Sequence, residues 1–373
     1  MRHIRQWAGA TGVALAAALL CSSQVYAALP EPEPASNAPA AVVSVFASGL
    51  SNPRGLKFGP DGDLYVAEGG AGGAYSTIGT CTQVPVPIGP DTGSPTGGRI
   101  SRINHNGYRT TVTDTLPTSL GADGETVEGV ADIAFVDGKL YAVLAGGGCS
   151  HGVPSIPNGV VRVKHNGTWN MIADLSAFQM ANPTKVIQPA DYEPDGTWYS
   201  MIAVDDELYA IEPNHGELDR ITTNGHIKRI VDISAVQGHI VPTAMAFHDD
   251  HFYVGNLSTF PLVQGASKIL KIGMNGHVEV VATGFTAVLG VAFDRRGRLY
   301  VLENTVGSPF PAPFAGRVVR VGHNGSLEVI ASNLMLPTAM TFGRDGNLYV
   351  SAFGLGPPGA GQVLKIDLPG FPW

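Results

Sequence analysis

The chain has 373 residues and a formal net charge of −8, with 14% charged and 44% hydrophobic residues. No basic stripe and no run of Lys or Arg offsets this mild acidity, which argues against a nucleic-acid partner. Gly (48) and Pro (27) are abundant, as expected where tight turns join many short strands.

The N-terminal segment reads as an export signal over residues 1–27. Arg2 and Arg5 form a positive n-region, Ala8 to Leu20 is apolar, and Val25-Tyr26-Ala27 fits cleavage after Ala27. The apolar stretch falls short of the roughly 20 residues that span a bilayer, so no membrane span is expected. Leu20 is too bulky for lipid attachment at Cys21. The mature protein is therefore expected in the periplasm or secreted. Residues 28–41 read as a Pro/Ala-rich linker and residues 42–373 as one domain.

Within that domain a short motif recurs six times: Leu64-Tyr65-Val66, Leu140-Tyr141-Ala142, Leu208-Tyr209-Ala210, Phe252-Tyr253-Val254, Leu299-Tyr300-Val301 and Leu348-Tyr349-Val350. The tyrosines lie 76, 68, 44, 47 and 49 residues apart. The three short gaps match the period of about 40–50 residues of propeller blades, and the two long ones hold insertions. Each motif follows a turn: Asp61-Gly62, Asp137-Gly138, Asp205-Asp206, Asp249-Asp250, Arg296-Gly297 or Asp345-Gly346. Five further turns, at Asn106-Gly107, Asn166-Gly167, Asn224-Gly225, Asn275-Gly276 and Asn324-Gly325, join third to fourth strands and are expected as two-residue hairpins with both φ values positive. The last unit ends at its third strand, Gln362 to Ile366. Val42 to Ser48 (VVSVFAS) resembles the fourth strands Val278 to Thr283 and Leu327 to Ser332. The chain is therefore expected to form an all-β, six-bladed β-propeller of four-stranded antiparallel blades, closed by the N-terminal strand pairing in the last blade.

In such a fold the tight turns share one face. The long loops, Gly69 to Gly97, Ala145 to Asn158, Leu257 to Gly265, Asn304 to Ala315 and Phe353 to Gly359, and the 175–198 connection share the other, where a site is expected. His105, His165 and His323 fall in turns of the first face. His151, His215 and His239 fall on the loop face as candidates. Oxygen-bearing residues gather at the loop-face ends of the second strands: Glu68, Glu212, Asn256 and Glu303, with Asn304 and Asn214 adjacent and Asp132 on the channel wall. Convergence on the channel would let Glu68, Glu212 and Glu303 hold Ca²⁺; the plainer reading is that they solvate a channel mouth. Cys81 and Cys149, the cysteines left after cleavage, are expected as a disulfide joining neighbouring loops.

The segments Ile133-Ala134-Phe135 with Leu140-Tyr141, Leu175 to Asn182 (LSAFQMAN), Val254 to Pro261 (VGNLSTFP), Ala282 to Phe285 and Leu336 to Thr338 resemble the scytonemin-biosynthesis D/E (ScyD/ScyE) family of exported propellers, related to NHL-repeat proteins. The resemblance runs from about Val42 to Asp367. It implies export and a propeller, without an assigned chemistry. Asn256 stands where that family usually has Glu. Neither a G-x-S-x-G elbow nor an H-E-x-x-H pair is present. The expected function is binding or scaffolding, with a small molecule or protein on the long-loop face. The alternative is a Ca²⁺-dependent hydrolase or lyase of the lactonase/paraoxonase type at the channel, with Glu68, Glu212 or Glu303 as ligand or base.

Overall fold

The computed structural model describes residues 41–307 and 310–368. The expected signal segment and residues 28–40 of the expected linker lie outside the described residues. Six blades form the ring. Blade two, for example, runs Val130–Val136, Lys139–Leu144, Gly159–Val163 and Trp169–Asp174 from the channel outward. In blade six, Ala339–Phe342, Leu348–Ala352 and Gly361–Asp367 are completed by Val42–Leu50, paired antiparallel from Val42↔Asp367 to Leu50↔Gly361. No helix among the described residues is long and apolar enough to cross a membrane.

Alternation along the strands places apolar side chains on both faces of each blade, so the core is divided among the seams. Six buried clusters occupy them, one per pair of neighbouring blades. Between blades two and three, Tyr141, Val143 and Val160 meet Trp198, Met201 and Leu208. The repeated tyrosine serves the seams too. Tyr65 meets Phe135, Tyr253 meets Phe293, Tyr300 meets Phe342 and Tyr349 meets Phe58, edge to face, with centroids 5.0, 4.7, 5.2 and 5.0 Å apart. Such pairs add about 0.5–1.5 kcal/mol beyond the area they bury. Blade three has Ala203 at the phenylalanine position, opposite Leu208. There the seam to blade two relies on Trp198, which is fully buried.

The turns differ from expectation in kind. All five Asn-Gly turns have the glycine alone in the left-handed region, and each closes on the residue three before it, as in Gly107 N to Asn104 O at 2.9 Å. This is a type I turn followed by a left-handed glycine, not a two-residue hairpin. Side-chain oxygens support the turn locally: in the first, Asn104 Oδ1 accepts from Asn106 N and Tyr108 N, each at 3.0 Å, and in three others the turn asparagine Oδ1 accepts from the N–H two residues on, at 3.2, 3.1 and 3.0 Å. Two-residue turns occur instead at 137–138, 205–206 and 249–250.

Deleting residues 42–48 removes the outer partner of Gly361–Asp367 and the Phe46–Tyr349 ring contact. The expected outcome is loss of the cooperative thermal transition and aggregation through the bared edge. A soluble, monodisperse variant that still melts cooperatively would refute ring closure by this strand.

Candidate functional site

The insertions of blades one and two build a platform on the long-loop face. Residues 69–97 are not the plain loop expected. Strands three and four of blade one run on as Thr92–Ile103 and Arg109–Leu120, with Val127–Glu128 paired beyond Leu120 and Tyr75–Ser76 paired to Thr92 and Gly93. The extension is hidden in sequence because Gly93, Pro95, Gly97 and Gly98 break any alternation. Gly93 is needed for packing: a Cβ there would lie 2.3 Å from His151 O. The Cys81–Cys149 disulfide joins the same two loops, and Thr77 Oγ1 donates to Cys149 O at 2.5 Å.

Where these segments meet, four ionisable side chains gather, three of them buried and Glu128 partly so. Asp91 precedes the extension, Glu128 is on its added strand, His151 is in the blade-two loop and Glu193 is in the connection to blade three. His151 Nε2 lies 3.0 Å from Glu128 Oε2 and 3.2 Å from Glu193 Oε2. Ligand atoms of Asp91, Glu128 and His151 all fall within 4.8 Å of one another, the one such His/Cys/Asp/Glu group among the described residues. Asp91 is buried and its Oδ1 has no hydrogen-bond partner. Asn214 Nδ2 donates to Glu193 Oε1 at 3.3 Å. Burial, followed by the charge of Glu128, lifts the Glu193 carboxyl to about 8; burial lifts Asp91 to about 7 against the opposing charge of His151. Burial disfavours a charged His151 ring, yet Glu128 and Glu193 hold its proton well above the usual range. His151 was a sequence candidate. Asp91, Glu128 and Glu193 were not, because four separated segments leave no motif.

The other oxygen-bearing candidates are placed differently. Asp132 alone among them lines the axial void of about 30 Å³. It accepts from Ile133 N (2.8 Å), Met201 N (2.9 Å), Ser200 Oγ (3.2 Å) and Lys57 Nζ (3.3 Å). Apolar Met245, Leu289, Val291 and Met340 share the wall. Tyr199 of blade three reaches across to donate to Thr338 O of blade six at 3.0 Å. Glu68, Glu212 and Glu303 are buried and bound within the structure. Glu68 accepts from Ser51 N (2.6 Å) and Ser101 Oγ and lies 3.6 Å from Arg109. Glu212 accepts from Thr197 N (2.9 Å) and His215 N (2.6 Å). Glu303 accepts from Thr286 N (2.7 Å) and pairs with Arg317. Asn256 bridges Ile240 O and Lys268 N, each at 2.8 Å. Asn304 donates to Pro337 O at 2.8 Å. His215 contacts Glu193 O and His239 contacts Asp191, at 2.9 and 2.7 Å.

These bonds secure strained backbone. Asn52, Val241 and Ala287, each just before an innermost strand, have φ of 51°, 57° and 51°, where non-glycine residues cost about 1–3 kcal/mol. Glu68, Asn256 and Glu303 bond the residue immediately before each of them.

Two larger hollows lie among the described residues. A cleft of about 650 Å³ on the loop face spans blades one, six and five, lined by Leu120, Glu125, Val127, Leu336, Leu355 and Pro311 among others. Its wall continues from the buried cluster, since Val127 and Glu128 are neighbours. Arg54 Nη2 donates to Val127 O at 2.6 Å. A groove of about 540 Å³ between blades one and two on the short-turn face carries Arg102, Lys139, Arg162 and Lys164.

No family model matches the chain, and no curated protein does. Solved structures match in fold. A Bacteroides thetaiotaomicron protein of unknown function gives a TM-score of 0.56 at 12% identity, covering 88% of this chain and 76% of its own. A gluconolactonase from Xanthomonas campestris gives 0.53 at 10%, covering 88% and 90%. The quinone-bound (PQQ) aldose sugar dehydrogenase of Streptomyces coelicolor gives 0.52 at 14%, covering 88% and 99%. These likenesses are of the propeller itself.

Beside Glu212, two more carboxyls are buried in blade three. Burial and the charge of Asp219 push Glu217 up to about 9, and burial pushes Asp219 up to about 7, with Arg229 opposing both. A carboxyl raised on folding keeps a proton that the unfolded chain releases above about pH 4. Its stabilising contribution is full below that pH and is lost as pH rises through 7 and then 9. The melting temperature is therefore expected to fall between pH 5 and pH 9 at constant ionic strength. Asp219→Asn should flatten the part of the fall near pH 7. An unchanged profile in this variant would count against a protonated Asp219.

Proposed function

We propose that the protein is an exported propeller that binds a small organic molecule, largely apolar, in the loop-face cleft. The cleft itself carries this reading. Its volume suits a small ligand, and its wall is apolar apart from Glu125. Pro311, Pro313, Pro357 and Pro358 stiffen it, which lowers the ordering entropy lost on binding. Phe260 and Phe314 are exposed in the loops of blades four and five, and Phe260 meets Phe310, next to Pro311, at 5.4 Å. Large exposed apolar side chains beside a cleft mark interaction surfaces. Export is supported by the signal-like residues 1–27 and by the disulfide. Export is also what the resemblance to the scytonemin-biosynthesis D/E family implies.

A second reading is hydrolysis of a lactone or related ester in the same cleft. The gluconolactonase among the fold neighbours favours it, as does the ionisable cluster directly behind the cleft wall.

Titration with the fluorescent apolar anion anilinonaphthalene sulfonate is expected to show saturable binding of about one equivalent. Leu355→Asp should weaken it at least about tenfold with the melting temperature unchanged, since charge in an apolar cleft is poorly solvated. Equal binding by this variant would refute the cleft as the site. Turnover of simple lactones by the wild type, lost in Leu355→Asp, would select the hydrolase.

A further inference from the structure

The buried group behind the cleft wall has the make-up of a metal centre. Three carboxylates and one imidazole come from four segments, at residues 91, 128, 151 and 193, and among the described residues no lysine or arginine takes part in the contacts among them. The hydrogen bonds around His151 set its orientation. Ser150 Oγ donates to Asp195 Oδ2 at 2.6 Å, which leaves its lone pairs to accept from His151 Nδ1, 3.2 Å away. A ring that donates from Nδ1 presents an Nε2 lone pair in its neutral form. That nitrogen faces Glu128 and Glu193 at 3.0 and 3.2 Å. A protonated ring donates from Nε2 to these carboxylates; a neutral ring turns its lone pair toward them, and a cation among the three then satisfies all of them. Adjacent ligands at 2.0–2.2 Å from one octahedral ion lie about 3 Å apart, the spacing of His151 Nε2 from the two glutamate oxygens, and the Asp91 ligand atom lies within 4.8 Å of those of Glu128 and His151. Asp91 Oδ1 is the independent sign: the residue is 97% buried, at 3% exposure, and this oxygen has no hydrogen-bond partner. The Asp195–Ser150–His151 chain is the outer support that metal-binding histidines commonly have.

We propose that Asp91, Glu128 and His151, with Glu193 in reach of the same imidazole nitrogen, hold a first-row divalent cation of the Mn²⁺–Zn²⁺ class. The imidazole sets the class. Ca²⁺ takes oxygen ligands, whereas a mixed nitrogen and oxygen set suits Mn²⁺ through Zn²⁺. Burial makes the role structural. The ion ties the blade-one extension to the blade-two loop and to the connection into blade three. Because Glu128 adjoins Val127, it also fixes one wall of the cleft. The proposal is independent of what the cleft binds.

The test uses the whole mature protein, purified without chelator or affinity metal. Elemental analysis should find about one equivalent of Zn²⁺ or Mn²⁺. Dialysis against EDTA should lower the melting temperature by roughly 3–5 °C, and Zn²⁺ or Mn²⁺ should restore it where Ca²⁺ and Mg²⁺ do not. Asp91→Asn, which preserves shape, should reduce bound metal below about 0.2 equivalents and abolish the response to added metal. Glu193→Gln should weaken metal binding at least about tenfold, a second readout should Asp91→Asn fold poorly. A proton network alone would make Asp91→Asn as stable as EDTA-treated wild type or more so, with no metal bound to either. That result overturns the proposal, as would restoration by Ca²⁺ alone or wild-type metal content in both variants.

Discussion

The antiparallel pairing of Val42–Leu50 with Gly361–Asp367 is the constraint on which the rest depends. Each blade buries apolar residues on both faces, so no blade has a complete core of its own. A ring left open would expose two such faces and one sheet edge. Here the closing strand comes from the other end of the domain, and Ala47 and Leu50 sit in the same buried cluster as Leu56, Leu64 and Val66 of blade one. Closure therefore fixes the seam between the last blade and the first. It also sets the spacing of the loops around the ring, including those of blades one, five and six that frame the cleft.

The ring was legible because its signals are local. Tyrosine spacing, turn glycines and the odd final strand report a repeat without knowledge of which residues touch. In four of the six blades the repeated tyrosine marks an edge-to-face contact across a seam, a reason that alternation alone could not supply. The insertions were not legible. In residues 92–98, glycine and proline occupy a sheet extension and read as loop. The Asp91, Glu128, His151 and Glu193 group depends on four segments folding onto one another, and pairwise spacing carries no trace of it.

The acidic residues at the ends of the second strands show how a repeated polar residue can be read two ways. Glu68, Asn256 and Glu303 occupy equivalent positions and have the same task. Each secures backbone beside a non-glycine residue with positive φ, just before an innermost strand. Val241 is β-branched and the most strained by type. Where the turn recurs, in blades one, four and five, the residue that holds it recurs as well. The repeat alone is indifferent between a backbone clip and a ring of ligands; the hydrogen-bond partners distinguish them.

The distribution of buried charge then separates two regions of the molecule. At the axis, Asp132 is balanced by Lys57 and by two backbone N–H groups, and Tyr199 spans the channel mouth. Gly55 allows this, since a Cβ there would lie 1.9 Å from Asp132 Oδ1. That arrangement is satisfied within the protein and leaves little space. On the loop face the balance fails: two buried carboxyls and the partly buried Glu128 share one imidazole, and Asp91 Oδ1 has no partner. Uncompensated charge of this kind is far more costly than a paired one, so it persists where something further completes it, whether a proton or a cation. The open chemistry of the loop face thus lies off the axis, in the segments inserted between the first three blades.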